Sequence, residues 1–156
     1  MNMVEHKGAV TGAGRKIALV VSRYNEAVTR QLQNGAESEL RRLGVVASDV
    51  DVYEVPGAFE LPCVADRVAR QGRHDAVVCL GAVIRGATPH FDFVAAEAAK
   101  GVAQAASKAT CPVVFGVLTC DTEEQARERA GGKAGNRGAE CARAALELID
   151  LYRQIG

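Results

Sequence analysis

The chain has 156 residues, 48% of them hydrophobic and 24% charged, which suits one domain with an ordinary core and excludes a largely disordered protein. Nineteen Lys and Arg offset nineteen Asp and Glu, arguing against a nucleic-acid binder that works through a bulk basic surface. Aromatics make up only 4%, with no Trp, so an aromatic in a loop carries more information than usual.

Residues 1–15 read as an N-terminal arm. They include Glu5, His6 and Lys7 and no apolar core, unlike a signal peptide. A single domain, 16–156, follows. Apolar runs at 17–21, 50–55, 76–80 and 113–117 read as four strands. The first, third and fourth are nearly continuous, the pattern of strands covered on both faces, whereas Val50, Val52 and Glu54 in the second suggest an edge. Helical stripes lie between them: Val28, Leu32, Ala36, Leu40 and Leu43, stopped by Gly44; Leu61, Ala65, Val68 and Ala69, ending near Gly72; and Val94, Ala98, Val102 and Ala105. A shorter helix at 123–129 precedes a Gly-rich stretch, 131–135, and a last helix spans 136–154. That helix carries Cys141, Ala144, Ala145, Leu148, Leu151 and Tyr152, with Leu146 and Ile149 on other faces. An apolar surface so broad implies two partners, the second a neighbouring subunit. Strand alternating with helix predicts an α/β three-layer sandwich, a four-stranded parallel sheet with helices on both faces.

Five cysteines (63, 79, 111, 120 and 141) form no CxxC, and an odd number does not suit a secreted disulfide framework. They read as idle thiols in a cytoplasmic protein. Cys120, placed in a loop after the fourth strand, is the one alternative nucleophile. No apolar run approaches the roughly 20 residues of a membrane helix, and no His, Cys and carboxylate cluster has metal spacing.

Ligands of open parallel sheets gather beyond the carboxyl ends of the strands. The segments there are Ser22-Arg23-Tyr24-Asn25, Pro56-Gly57-Ala58-Phe59-Glu60, residues 81–90 and Thr119-Cys120-Asp121. Tyr24 and Phe59 follow strand ends beside polar groups and can stack on a flat ligand. Gly86, Ala87 and Thr88 lead into the third helix with Pro89 at its first turn, so backbone amides at the helix's positive end suit a phosphate; the plainer reading makes Thr88 an N-cap. His90 lies within reach of that anion, and imidazole is the side chain type best suited to moving protons there. Arg127, Arg129, Lys133 and Arg137 surround the Gly-rich turn, and Arg129 offers bidentate geometry to phosphate. Gly12-Ala13-Gly14 precedes a strand and Gly132-Lys133-Ala134 lacks a following Ser or Thr, so neither is a nucleotide fingerprint.

Together, Val55-Pro56-Gly57-Ala58-Phe59-Glu60, the run Gly81-Ala82-Val83-Ile84-Arg85-Gly86-Ala87-Thr88-Pro89-His90, Phe115-Gly116, Glu128-Arg129-Ala130-Gly131 and Lys133-Ala134-Gly135-Asn136 resemble the lumazine synthase family from about residue 16 to 152. The resemblance implies a flavodoxin-like fold and an arm that adds to a neighbour's sheet. It also implies a homopentamer or a 60-mer shell of pentamers, with active sites between subunits. The implied reaction joins 5-amino-6-(D-ribitylamino)uracil to 3,4-dihydroxy-2-butanone 4-phosphate, without cofactor or metal, and riboflavin synthase is the implied protein partner. In that setting Tyr24, Asn25 and Phe115 hold the pyrimidine, Phe115 coming from the adjacent subunit. Ala58, Phe59, Glu60, Ala82, Val83 and Ile84 serve ring edge and ribityl chain. Ala87, Thr88 and Arg129, with Lys133 and Arg137 nearby, hold phosphate, and His90 moves protons. Three positions depart from the family pattern. Tyr24 stands for Phe or Trp; Gly132 stands for Thr, which would loosen the turn; Arg137 stands for Lys. The alternative is a flavin-binding or shell-forming protein of the same fold without catalysis.

Overall fold

A computed structural model describes residues 1–156. The central layer is a parallel sheet of β1 (Ile17–Ser22), β2 (Val50–Val55), β3 (Ala76–Ile84) and β4 (Val113–Cys120), in the order β2-β1-β3-β4. Register runs Ile17 beside Val50 and Ala76, and Val77 beside Val113. Every residue of β1 is buried and β3 is buried up to Ile84, because both strands are flanked by strands and covered by helices. Alternate side chains feed two cores. Ile17, Leu19 and Val21 join Val28, Leu32, Leu40, Ala142 and Leu146 of α1 (Glu26–Arg42) and α5 (Arg137–Ile155). Ala18 and Val20 join Leu61, Val68, Ala98 and Val102 of α2 (Leu61–Arg70) and α3 (His90–Lys108) on the other face. This is the flavodoxin-like three-layer arrangement.

Two expectations from the apolar pattern need correction. β4 is an edge strand like β2: Val113 and Val117 are covered, but Phe115 and Thr119 on the same face are exposed. In α5 the buried stripe runs through Gly138, Cys141, Ala142, Ala145, Leu146 and Ile149. Leu146 and Ile149 therefore belong to the core, Leu148 and Leu151 are half-buried and Tyr152 is exposed. The reason is the crossing of α5 over α1, which selects the face carrying the small residues. A Cβ at Gly138 would overlap the Leu32 carbonyl, and one at Gly35 would overlap the Asn136 side chain. Asn136 secures the crossing, since its amide nitrogen donates to Gln31 O (3.0 Å) and its Oδ1 accepts from the N–H groups of Gly138 and Ala139 (2.8 and 3.2 Å), capping α5.

After β4, α4 (Glu123–Arg129) opens with a reciprocal cap. The Gln125 N–H donates to Thr122 Oγ1, while the Gln125 side chain accepts from the Thr122 backbone. The Gly-rich stretch then closes as a short antiparallel ladder, β5 (Ala130–Gly132) with β6 (Gly135–Asn136). Gly131 and Gly135 take positive φ of 107° and 85°, which only glycine adopts readily. Gly132 is tight rather than loose, because a Cβ there would lie 2.8 Å from Arg127 O.

The first residues of the chain form no helix or strand. They run along this chain's own α5, where the Ala9 N–H donates to Asp150 Oδ2 and Gln154 Nε2 donates to Lys7 O, both at 2.7 Å. No helix is long and apolar enough to cross a membrane.

Candidate active site

The order β2-β1-β3-β4 reverses direction between β1 and β3, and a crevice opens above the carboxyl ends of such a pair. Here it is a groove of about 860 Å³. Tyr24 and Asn25, after β1, form one wall; Ala58, Phe59 and Glu60, after β2, form another; Ala82, Val83 and Ile84 at the end of β3 form the floor. Gly86, Thr88 and His90 close it at the start of α3. Ala87 lies between two of these wall residues without itself facing the groove.

The walls are held by the chain's geometry. The Tyr24 N–H donates to Pro56 O (2.9 Å), which pins the turn after β1 to the end of β2. Asn25 sits in the left-handed region at φ 66°, a conformation Asn tolerates better than most residues. Its Nδ2 donates to Ala82 O at 3.2 Å, so this amide ties the first wall to the floor. The backbone thus turns Tyr24 outward, 74% exposed; Phe59, 59% exposed, lines the same groove.

The Thr88 N-cap does not form. Pro89 occupies the cap position, and no side chain accepts from the first-turn amides of α3. The Asp92 N–H donates to Pro89 O at 3.0 Å; the earlier first-turn amides and the positive end of a 19-residue helix are left for an anion. Four further wall residues escaped the sequence reading: Phe91, Phe93, Val94 and Glu97. A signal was present, since His90, Phe93, Val94 and Glu97 recur at three- and four-residue spacing on one helix face. Phe91 and Phe93 are also two of only four phenylalanines in the chain.

The remaining predicted residues do not reach this groove. Phe115 projects from the exposed edge strand, opposite Cys79 in register. Arg129 ends α4, its Nη1 donating to Gln125 O at 3.0 Å and lying 3.8 Å from Glu128. Lys133 pairs with the same Glu128 at 3.2 Å, and Arg137 pairs with Glu140 at 3.4 Å. The structure therefore sorts the candidates into a groove set and an edge set.

Cys120 is the last residue of β4, not a loop residue, and is buried. Burial pushes its thiol up, against the opposing pull of the Arg129 charge, so the nucleophile reading fails. Burial also pushes the Cys79 thiol up to about 12 and the Cys141 thiol up to about 11. All five cysteines are free.

At the lip between the two sets lies Arg85. Its Nε donates to Asp121 Oδ1 (2.9 Å), its Nη1 to Asp92 Oδ1 (3.3 Å), and its guanidinium carbon stands 4.4 Å from the centre of the Phe91 ring. The Asp121 hydrogen bond pushes the guanidinium further into its charged range, reinforced by the Asp92 charge and opposed by desolvation.

The family model for 6,7-dimethyl-8-ribityllumazine synthase matches residues 14–153. The chain belongs to this family. A 6,7-dimethyl-8-ribityllumazine synthase of Anaeromyxobacter dehalogenans (strain 2CP-C) is 59% identical over 99% of this chain and 94% of its own length. Those of Anaeromyxobacter sp. (strain K) and Anaeromyxobacter sp. (strain Fw109-5) are 58% and 57% identical, each over 99% of this chain, covering 94% and 93% of the relative. The lumazine synthase match takes in both residue sets, from the turn carrying Tyr24 to the ladder carrying Lys133.

Proposed function

We propose that the chain is a transferase condensing 5-amino-6-(D-ribitylamino)uracil with 3,4-dihydroxy-2-butanone 4-phosphate, giving 6,7-dimethyl-8-ribityllumazine, phosphate and water, in a site that two protomers complete together. Membership of the family supports the reaction. What supports the shared site is the division of the candidates: one chain offers a groove with His90 and stacking aromatics but leaves Phe115 and Arg129 on an exposed edge. Docking that edge against the groove of the next protomer unites the two sets. Edge-to-groove contacts are heterologous and form a ring where the rotation between neighbours closes, as it does in a homopentamer, alone or within a larger shell. An exposed edge strand carrying an apolar Phe is itself a surface that proteins usually cover.

In the completed site the pyrimidine stacks on Tyr24 and is flanked by the neighbour's copy of Phe115. Ala58 to Glu60 and Ala82 to Ile84 supply backbone and carboxylate partners to the ring edge and ribityl hydroxyls. The start of α3 and the guanidinium of Arg129 hold the phosphate. His90, on the first turn of α3, takes up and returns protons as the amine adds to the ketone, water is lost and phosphate departs. Two reactants held side by side gain most of their acceleration from orientation alone. The protein's own groups suffice for these steps, and a cytoplasmic location fits five free thiols. Mixing the protein with both substrates and following lumazine absorbance and fluorescence tests the reading. We expect a rate well above the spontaneous reaction; a rate equal to it would favour a flavin carrier or an inert shell.

A further inference from the structure

We propose that Arg85 is a positioning residue for this reaction, a three-way clamp that fixes the His90 turn of α3 to the end of β3 and to the turn after β4, and not a ligand of the phosphate. The inference rests on the site reading above and adds to it a residue that touches neither substrate.

Arg85 begins where β3 and β4 stop pairing. Ile84 lies beside Cys120 in register, and the Arg85 N–H donates to Cys120 O at 2.9 Å. From that fixed root the side chain reaches two separate segments. One is the first turn of α3, through Asp92 and the Phe91 ring. The other is the turn after β4, through Asp121. Asp121 carries the connection onward: its backbone N–H donates to Gln125 Oε1 (2.9 Å), and Gln125 O accepts from Arg129 Nη1 (3.0 Å). A continuous set of contacts therefore runs from Phe91, beside His90, through Arg85, Asp121 and Gln125 to Arg129, whose guanidinium serves the next protomer's groove in the proposed site.

Two physical arguments give this arrangement a role in catalysis rather than stability. First, the side chains of Arg85, Asp92 and Asp121 are 46%, 61% and 67% exposed, and ion pairs in water add little to folding free energy. What a planar fork supplies here is direction, because Nε, Nη1 and the flat face are each committed to a different neighbour. Second, Asp92 is a carboxylate in the first turn of the helix that borders the anion site. Left unpaired, it would oppose an incoming phosphate; paired sideways to Arg85, its charge is offset while the amides stay available. Arg85 also occupies a loop position that suits phosphate binding, yet its Nε and one Nη1 donor are committed to carboxylates and its flat face to Phe91.

Steady-state kinetics on Arg85→Ala, Arg85→Lys and Asp121→Asn, with each substrate varied in turn, test the inference. For Arg85→Ala we expect kcat to fall on the order of 100-fold, the effect of a small misplacement of reacting groups, with KM for the butanone phosphate within about threefold of normal. Arg85→Lys keeps the charge but cannot serve two carboxylates and a ring at once, so it should recover part of kcat and no more. Adding Asp121→Asn to Arg85→Ala should cost nothing further, since both changes cut the same connection. An unchanged kcat in Arg85→Ala overturns the proposal. So does a raised KM for the phosphorylated substrate at normal kcat, which would make Arg85 a direct ligand, and so does full multiplicativity of the two changes. If Arg85→Ala does not fold, Arg85→Lys and Asp121→Asn carry the same kcat-against-KM comparison. Normal kinetics in variants of His90 and Arg129 would sink the site reading itself; normal kinetics in Arg85→Ala beside impaired His90 and Arg129 variants would sink this inference alone.

Discussion

His90→Ala is expected to lower kcat on the order of 100- to 1,000-fold with little change in KM, while Arg129→Ala raises KM for the butanone phosphate and lowers its kcat/KM on the order of 100-fold. The contrast follows from position. His90 stands on the groove wall at the start of α3; in the proposed site it is within reach of atoms that gain and lose protons, so its loss is felt as bonds change. Arg129 sits at the end of α4 on the exposed edge with a single backbone acceptor fixing its Nη1. In the proposed site its guanidinium turns toward a doubly charged ligand, in ground state and transition state alike. Separate titration of the two substrates distinguishes the effects. Arg129→Ala with normal KM for the phosphorylated substrate would remove the phosphate assignment, and His90→Ala with normal kcat would remove the proton-transfer assignment.

The largest structural effect is expected at Gly138. Its missing side chain lets α5 approach α1 so closely that a Cβ would overlap Leu32 O and lie 2.7 Å from Leu32 C. Backbone cannot swing aside as a side-chain tip can, so Gly138→Ala must displace one helix from the other and weaken the Asn136 cap next to it. Overpacking of this kind costs about 3 kcal/mol, which for a chain of this size lowers the melting temperature by about 10 °C. Thermal unfolding followed by circular dichroism checks it; a midpoint within a degree of the parent would contradict the packing described for this crossing.

Comparison of sequence and structure shows where local pattern suffices. The runs at 17–21 and 76–80 were readable as central strands because burial on both faces leaves no polar alternation. The run at 113–117 looks alike, yet it forms an edge, since Phe115 is apolar and still exposed. An apolar residue left exposed on an edge strand cannot be told from a core residue by its chemistry. In α5, Ala144 and Ala145 are equally apolar, and only the crossing with α1 decides which is buried. The loops beyond β1, β2 and β3 were legible as groove-lining segments from the topology of parallel sheets. The clamp joining Arg85, Asp92 and Asp121 was not, because pairings between distant loops follow no periodicity in the chain. The β5–β6 ladder hid for a similar reason: three residues against two leave too short a pattern to read.

The claim that one protomer's groove is completed by another's edge has a direct test in subunit complementation. Equal amounts of the His90→Ala and Arg129→Ala proteins are unfolded, mixed, refolded together and assayed for lumazine formation. If the two groups come from different chains, random assembly into a ring places an intact His90 beside an intact Arg129 at about a quarter of the boundaries, and activity returns to about a quarter of normal. Activity no greater than the average of the two variants alone would mean that both groups serve from a single chain, and the shared site would be contradicted.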